Sequence, residues 1–118
     1  MKITYNFSKQ EHISKPAEFG TVFRLGKSYS NEWLVIYILD RKDNKIPRIG
    51  WVISAKTGKA NRRFRIKRLI REVFRLNKSI IRKGLDIVVI PAKKAAAIDS
   101  YDEMKKILFG LLKDRALR

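Results

Sequence analysis

Nine lysines and arginines stand between Lys59 and Lys78 with a single acid, Glu72. The chemistry open to them is electrostatic. Guanidinium and ammonium groups hold phosphate oxygens, and so many like charges repel one another at a cost that a polyanion reverses. At about 100° per residue, Ile66, Leu69, Ile70, Val73 and Phe74 fall in one arc of a helix. Lys67, Arg68, Arg71, Arg75 and Lys78 fall in the opposite arc, with Arg63 and Arg65 toward its edges. A merely solvated helix mixes Glu with Lys at a spacing of four, because such pairs stabilise it slightly. Here the compensating acids are missing, which favours a phosphate-binding face and makes nucleic acid the first candidate partner. Phe64 points to the cationic side. Either the first turn bends so that Phe64 covers a loop or the last helix, or its exposed ring stacks on a base or sugar.

Other chemistry is poorly provided for. His12 is the only histidine and there is no cysteine, so a zinc-type site cannot be assembled and disulfides are excluded. The acids Asp40, Asp43, Asp86, Asp99, Asp102 and Glu103 are the candidate Mg²⁺ ligands. No pair among them recommends itself as a two-metal nuclease centre. Asp40 and Asp43 share a turn with Arg41, Lys42 and Lys45, and Asp99, Asp102 and Glu103 suit the positive end of a helix dipole. Glu72 is expected to pair with Arg68 or Arg75, rather than bind a metal jointly with RNA. Lys56-Thr57-Gly58-Lys59 lacks the spacing of a nucleotide-binding glycine loop.

The elements that must position these groups are legible in outline. A chain of 118 residues, 45% hydrophobic and 33% charged, suits one folded domain over residues 1–118. Its formal charge of +17 exceeds what solubility needs. No stretch is apolar enough to span a bilayer and the start lacks a signal-peptide core, so a soluble, cytoplasmic protein is expected. Residues 1–13 read as a polar arm that orders on contact. Ser14-Lys15-Pro16 opens a short helix carrying Phe19, Val22 and Phe23 and stopping near Gly26. Glu32 to Leu39 and Pro47 to Ser54 read as strands paired in an antiparallel hairpin across the turn Asp40–Lys45. The basic helix should run from Lys59 to about Ile81. Asp86 to Pro91 is a wholly apolar strand suited to a central position. Ser100-Tyr101-Asp102-Glu103 is a capping box opening a last helix whose face carries Tyr101, Met104, Leu108, Leu111 and Leu112. The order is α-β-β-α-β-α, with a further strand considered near Lys27–Ser30. It describes an α+β two-layer sandwich of helices on a small mixed sheet.

Taken together these residues resemble the protein subunit of bacterial ribonuclease P. The resemblance rests on Lys59-Ala60, Arg63, Arg65-Ile66-Lys67-Arg68-Leu69-Ile70-Arg71-Glu72 and Phe74-Arg75. It extends to Phe19, Phe23 and Gly26, to Gly50, Val52, Ser54 and Lys56, and to Asp86-Ile87-Val88-Val89-Ile90-Pro91 with Lys93. It covers about residues 15 to 112. Two departures stand out: Phe64 occupies the place of the family's Asn between two arginines, so that residue's role does not transfer. Ala55-Lys56 replaces a basic pair, with the loss of one cation at the strand end.

The resemblance implies a division of labour. A large RNA, with its bound Mg²⁺, cleaves precursor tRNA to a mature 5′ end, while the protein docks on that RNA and holds the 5′ leader. It also implies a left-handed β-α-β crossover around the basic helix. By position, Lys59, Arg62, Arg63, Arg65, Lys67, Arg68 and Arg71 would contact the RNA subunit, and Arg75 shares their cationic arc. Phe19, Phe23 and Tyr37 would form the cleft for the leader, lined by Lys56 and Lys93. A shallow aromatic surface rimmed by lysine suits single-stranded RNA without reading its sequence, yet Phe19 and Phe23 could equally be plain core. Trp33, Val35 and Tyr37 are expected on one face of their strand, with Trp33 and Trp51 mostly core. The alternatives are a non-enzymatic ribosomal or ribosome-assembly RNA-binding protein and a helix-turn-helix DNA reader. The DNA reader is disfavoured because strands flank the basic helix on both sides. Neither DNA nor membrane is an expected partner.

Overall fold

The computed structural model describes residues 7–118. Helix α1 spans Pro16–Leu25, followed by β1 (Lys27–Ser30), β2 (Leu34–Asp40), β3 (Arg48–Trp51), α2 (Ala60–Asn77), β4 (Leu85–Pro91) and α3 (Tyr101–Leu112). The strands form one mixed sheet in the order β1-β2-β4-β3. The extra strand considered at Lys27–Ser30 is therefore present, and the α+β sandwich on a small mixed sheet holds.

The expected hairpin between the second and third strands does not form. Strand β4 lies between them, antiparallel to β2 and parallel to β3. The cause is legible in β4 itself. Leu85, Ile87 and Val89 enter one core while Val88 enters the other, so both faces of the strand are buried, as suits a central position. The parallel β3–β4 pair then requires a long crossover, which α2 supplies.

Alternation assigns the two faces. Leu34 and Ile36 of β2, Ile49 of β3 and Ile87 and Val89 of β4 meet Ile66, Ile70, Val73 and Phe74 of α2 and Met104, Leu108, Leu111 and Leu112 of α3. At α3 the expected cap is present: the Ser100 hydroxyl accepts from the Glu103 N–H at 3.1 Å. The opposite face carries only a small cluster, Ile13, Val22 and Val88, with Phe19, Tyr37, Leu39 and Ile90 packed around it. Gly50 makes this approach possible, because a Cβ there would stand 2.9 Å from the Ile13 Cβ and 3.0 Å from the Phe19 ring.

Three local expectations need correction. Within the arm expected over residues 1–13, residues 1–6 lie outside the described residues. From Phe7 onward the chain is folded onto the edge of β3, with Ile13 fully buried and His12 bridged to Ile49. Trp33 does not share a strand face with Tyr37, because the Asn31 side chain accepts from the Trp33 and Leu34 N–H groups and the bend it holds delays the strand to Leu34. Trp33 packs with the α2–α3 core instead. Helix α2 ends at Asn77 rather than near Ile81. The Asn77 amide donates to the Val73 carbonyl at 2.7 Å and to the Tyr101 hydroxyl at 2.8 Å, and a short 3-10 turn, Lys78–Ile80, follows.

Candidate nucleic-acid interface

Helix α2 buries Ile66, Ile70, Val73 and Phe74, which turns the arginine-rich arc outward as the periodicity predicts. Arg62, Lys67 and Arg68 are exposed, as is Lys59 just before the helix, while Arg63, Arg65, Arg71 and Arg75 are half-buried along its flanks. Charge compensation is sparse. Asp99, from the loop before α3, accepts from Arg62 at 3.1 Å and also from Arg65. One carboxylate thus serves two guanidiniums at an exposed position, leaving that end of the helix cationic. This corrects the reading of Asp99 as a helix-end charge; only Asp102 and Glu103 sit in the first turn of α3. Glu72 pairs with Arg75, its partner three residues on, at 2.5 Å. The hydrogen bond from Arg75 holds the Glu72 carboxyl below its ordinary range, with Arg71 and Arg68 adding to the effect. Lys78 leaves the cationic arc, because its ammonium is drawn to the buried Glu11 at 3.0 Å.

The second candidate surface lies on the other side of the sheet. Val22 anchors α1 in the small core, and Phe19 is half-buried beside it. Phe23 remains 39% exposed. The Phe19 and Phe23 rings are 6.3 Å apart, and Phe23 meets Tyr37 of β2 edge-on at 5.0 Å. The structure therefore brings Phe19, Phe23 and Tyr37 together in one partly exposed aromatic cluster. Lys56 and Lys93 stand elsewhere: both are exposed on short 3-10 turns, Ala55–Thr57 and Lys93–Ala97, just beyond the ends of β3 and β4. Tyr37 is opposite Val88, so the end of β4 at Pro91 is about 10 Å along the strand from the aromatic trio. Lys94, next to Lys93, is held by Glu32 at 2.5 Å and lies over the Trp33 ring at 4.6 Å.

An ion network that the sequence did not signal ties α1 to β3 and β4 beside this cluster. Arg48 donates to Glu18 at 2.6 Å and to Asp86 at 2.7 Å, and Arg41 donates to Asp86 at 2.5 Å and to Asp43 at 3.0 Å. Asp86 is only 3% exposed. Its hydrogen bond, followed by that of Glu18, raises the Arg48 pKa further above the ordinary value. Burial alone would raise the Glu18 carboxyl, but the Lys15 N–H and the Arg48 guanidinium outweigh it and hold it low. Glu18 precedes Phe19, so this clasp sets where the aromatic face of α1 meets the sheet. Its partners lie 30 and 38 residues apart in sequence, a separation at which no local pattern signals pairing.

The candidate Mg²⁺ ligands are spread among different partners. Asp86, Asp43 and Glu18 are already engaged by arginines, and among the described residues no group of three or more His, Asp or Glu side chains could hold a metal ion. No described helix is long and apolar enough to cross a membrane.

Comparison with known proteins agrees with this geometry. Residues 7–115 match the family model described as Ribonuclease P. The ribonuclease P protein component of Thermotoga maritima is 39% identical over 116 residues, covering 98% of this chain and 93% of that protein. The Clostridium botulinum component is 43% identical over 106 residues, covering 89% and 94%. The solved Staphylococcus aureus RNase P protein superposes with a TM-score of 0.79 at 34% identity, covering 87% of this chain and 93% of that one. The Thermotoga maritima RNase P protein superposes with a TM-score of 0.77 at 39% identity, covering 87% and 96%. With its basic helix, its mixed sheet and nearly its whole length matched, this chain belongs to the ribonuclease P protein family.

Proposed function

We propose that this protein docks through α2 on the RNA subunit of ribonuclease P and holds the 5′ leader of precursor tRNA on the aromatic cluster between α1 and the sheet. As a ribonuclease P protein component it is part of a ribonucleoprotein enzyme with an RNA partner. In this reading the RNA performs the cleavage with Mg²⁺ that it binds itself, in the bacterial cytoplasm, and the protein contributes binding and orientation. Lys59, Arg62, Arg63, Arg65, Lys67, Arg68, Arg71 and Arg75 meet phosphates of the catalytic RNA. Phe19, Phe23 and Tyr37 stack on leader bases, and Lys56 and Lys93 receive the leader backbone beyond the strand ends.

The observation that carries this reading is the outward arc of α2. It is a row of cations with one exposed acid shared between two arginines, a surface that gains most from a polyanion. The aromatic cluster complements it, since stacking on rings is worth roughly 1–3 kcal/mol per base and tolerates any sequence. The test is reconstitution with ribonuclease P RNA at low Mg²⁺, where the protein should improve precursor-tRNA cleavage. No improvement would overturn the proposal. Phe23→Ala should weaken precursor binding more than mature tRNA binding; equal losses would assign the ring to packing.

A further inference from the structure

A second aromatic surface lies on the opposite face of the sheet from α1, where α2 packs against β3. Phe64 is 60% exposed. It lines a shallow notch with Trp51, Ile53, Ala60, Arg63 and Lys67. Trp51 closes β3, and its inward face packs with the α2–α3 core. Ala60 stands one turn before Phe64, and its small side chain opens the space beside the ring. Cations surround this apolar floor. Arg68 stands 5.8 Å from the Phe64 ring centroid, and Lys67 and Arg63 form the rim. The Arg63 Nε–H is buried with no acceptor among the described residues. That cost favours a guanidinium that turns outward once an anion is offered.

We propose that this notch receives one unpaired nucleobase of the RNA, stacked on Phe64 beside Trp51, with the adjoining phosphate held by Lys67 and Arg63. The inference rests on α2 docking against RNA and adds to it a discrete nucleotide site separate from the leader-binding cluster. The charge pattern selects the occupant. A ring of cations around an aromatic floor suits a group that is flat and apolar on its face and anionic at its link, which describes a nucleotide. An apolar peptide would leave the cations unmatched.

The experiment uses the full chain with Trp33→Phe, which makes Trp51 the sole tryptophan. Ribonuclease P RNA should quench Trp51 emission. Phe64→Leu, which keeps apolar bulk and removes the π face, should weaken RNA affinity roughly tenfold, and Phe64→Tyr should restore it. The salt slope of binding should stay the same in both, because no phosphate contact is lost. A uridine heptamer should quench Trp51 in a Phe64-dependent way, and an abasic heptamer of equal length should not. Unchanged affinity in Phe64→Leu, or equal quenching by the abasic chain, overturns the inference and leaves α2 docking intact. An unsubstituted chain that fails to bind ribonuclease P RNA removes the reading beneath it.

Discussion

Two arginine clusters in this molecule do opposite work. Arg41 and Arg48 are surrounded by Asp43, Asp86 and Glu18, within a network whose centre, Asp86, is almost fully buried. Arg62 and Arg65 share the single exposed Asp99, and Lys67 and Arg68 extend into solvent beyond them. The side chains are chemically identical; the supply of carboxylates and the access of water differ. A compensated, desolvated arginine holds parts of the fold together, and removing its partner strands a buried charge. An uncompensated, hydrated arginine contributes little to stability and remains available to a phosphate.

The contrast is broken most directly at its buried end. Asp86→Asn should destabilise the protein by about 3 kcal/mol, since Arg41 and Arg48 lose the acid they converge on. Urea denaturation reads this. The slope of RNA binding against salt should be unchanged, and a shift in that slope would mean the two clusters are not separate.

At the exposed end, replacing Arg65, Arg68 and Arg71 together by Ala should leave stability within roughly 0.5 kcal/mol. The same change should flatten the salt dependence of RNA affinity by about 0.7–0.9 log units per lost phosphate contact. A slope equal to that of the parent protein would show that these arginines touch no phosphate.

Asp99→Asn sharpens the comparison. The carboxylate occupies guanidiniums that the RNA would otherwise use, so its removal should raise affinity by up to about fivefold at low salt, the scale of an exposed ion pair. The gain should fade as salt screens the site. Weaker binding would instead show that Asp99 is needed to orient Arg62 and Arg65.

The smallest effect concerns pH. His12 stacks on Trp51 at 4.6 Å, and burial, with Lys67 and Arg71 nearby, pushes its pKa below the ordinary 6.5, against a weaker opposing pull from Glu18. The unfolded chain therefore takes up the proton first as pH falls. Stability should be level above about pH 6.5 and decline below it, before the carboxylates titrate. His12→Gln should remove that decline in melting temperatures measured across the range. A decline that persists would place its origin in another group.

How much could be read in advance divides along the range of the interactions. The amphipathic period of α2, the cap at Ser100 and the dry run from Asp86 to Pro91 are local patterns, and each became the expected element. The pairing of strands was not local. A hairpin between β2 and β3 satisfied every neighbouring residue, but it would have left β4 with one wet edge. Phe19 and Phe23 show the same limit: a helix wheel places them on one face, but only the Gly50 approach and the Arg48 clasp decide which ring is packed and which is open.

What the chain determined alone was its charge, its helix faces and its kinship, because these are set by residue type and spacing within a few turns. Which arginines would be satisfied and which left facing water was decided only by folding. Asp86 and Asp99 are the same residue type, and their opposite roles depend on the partners and the depth that the tertiary structure assigns them.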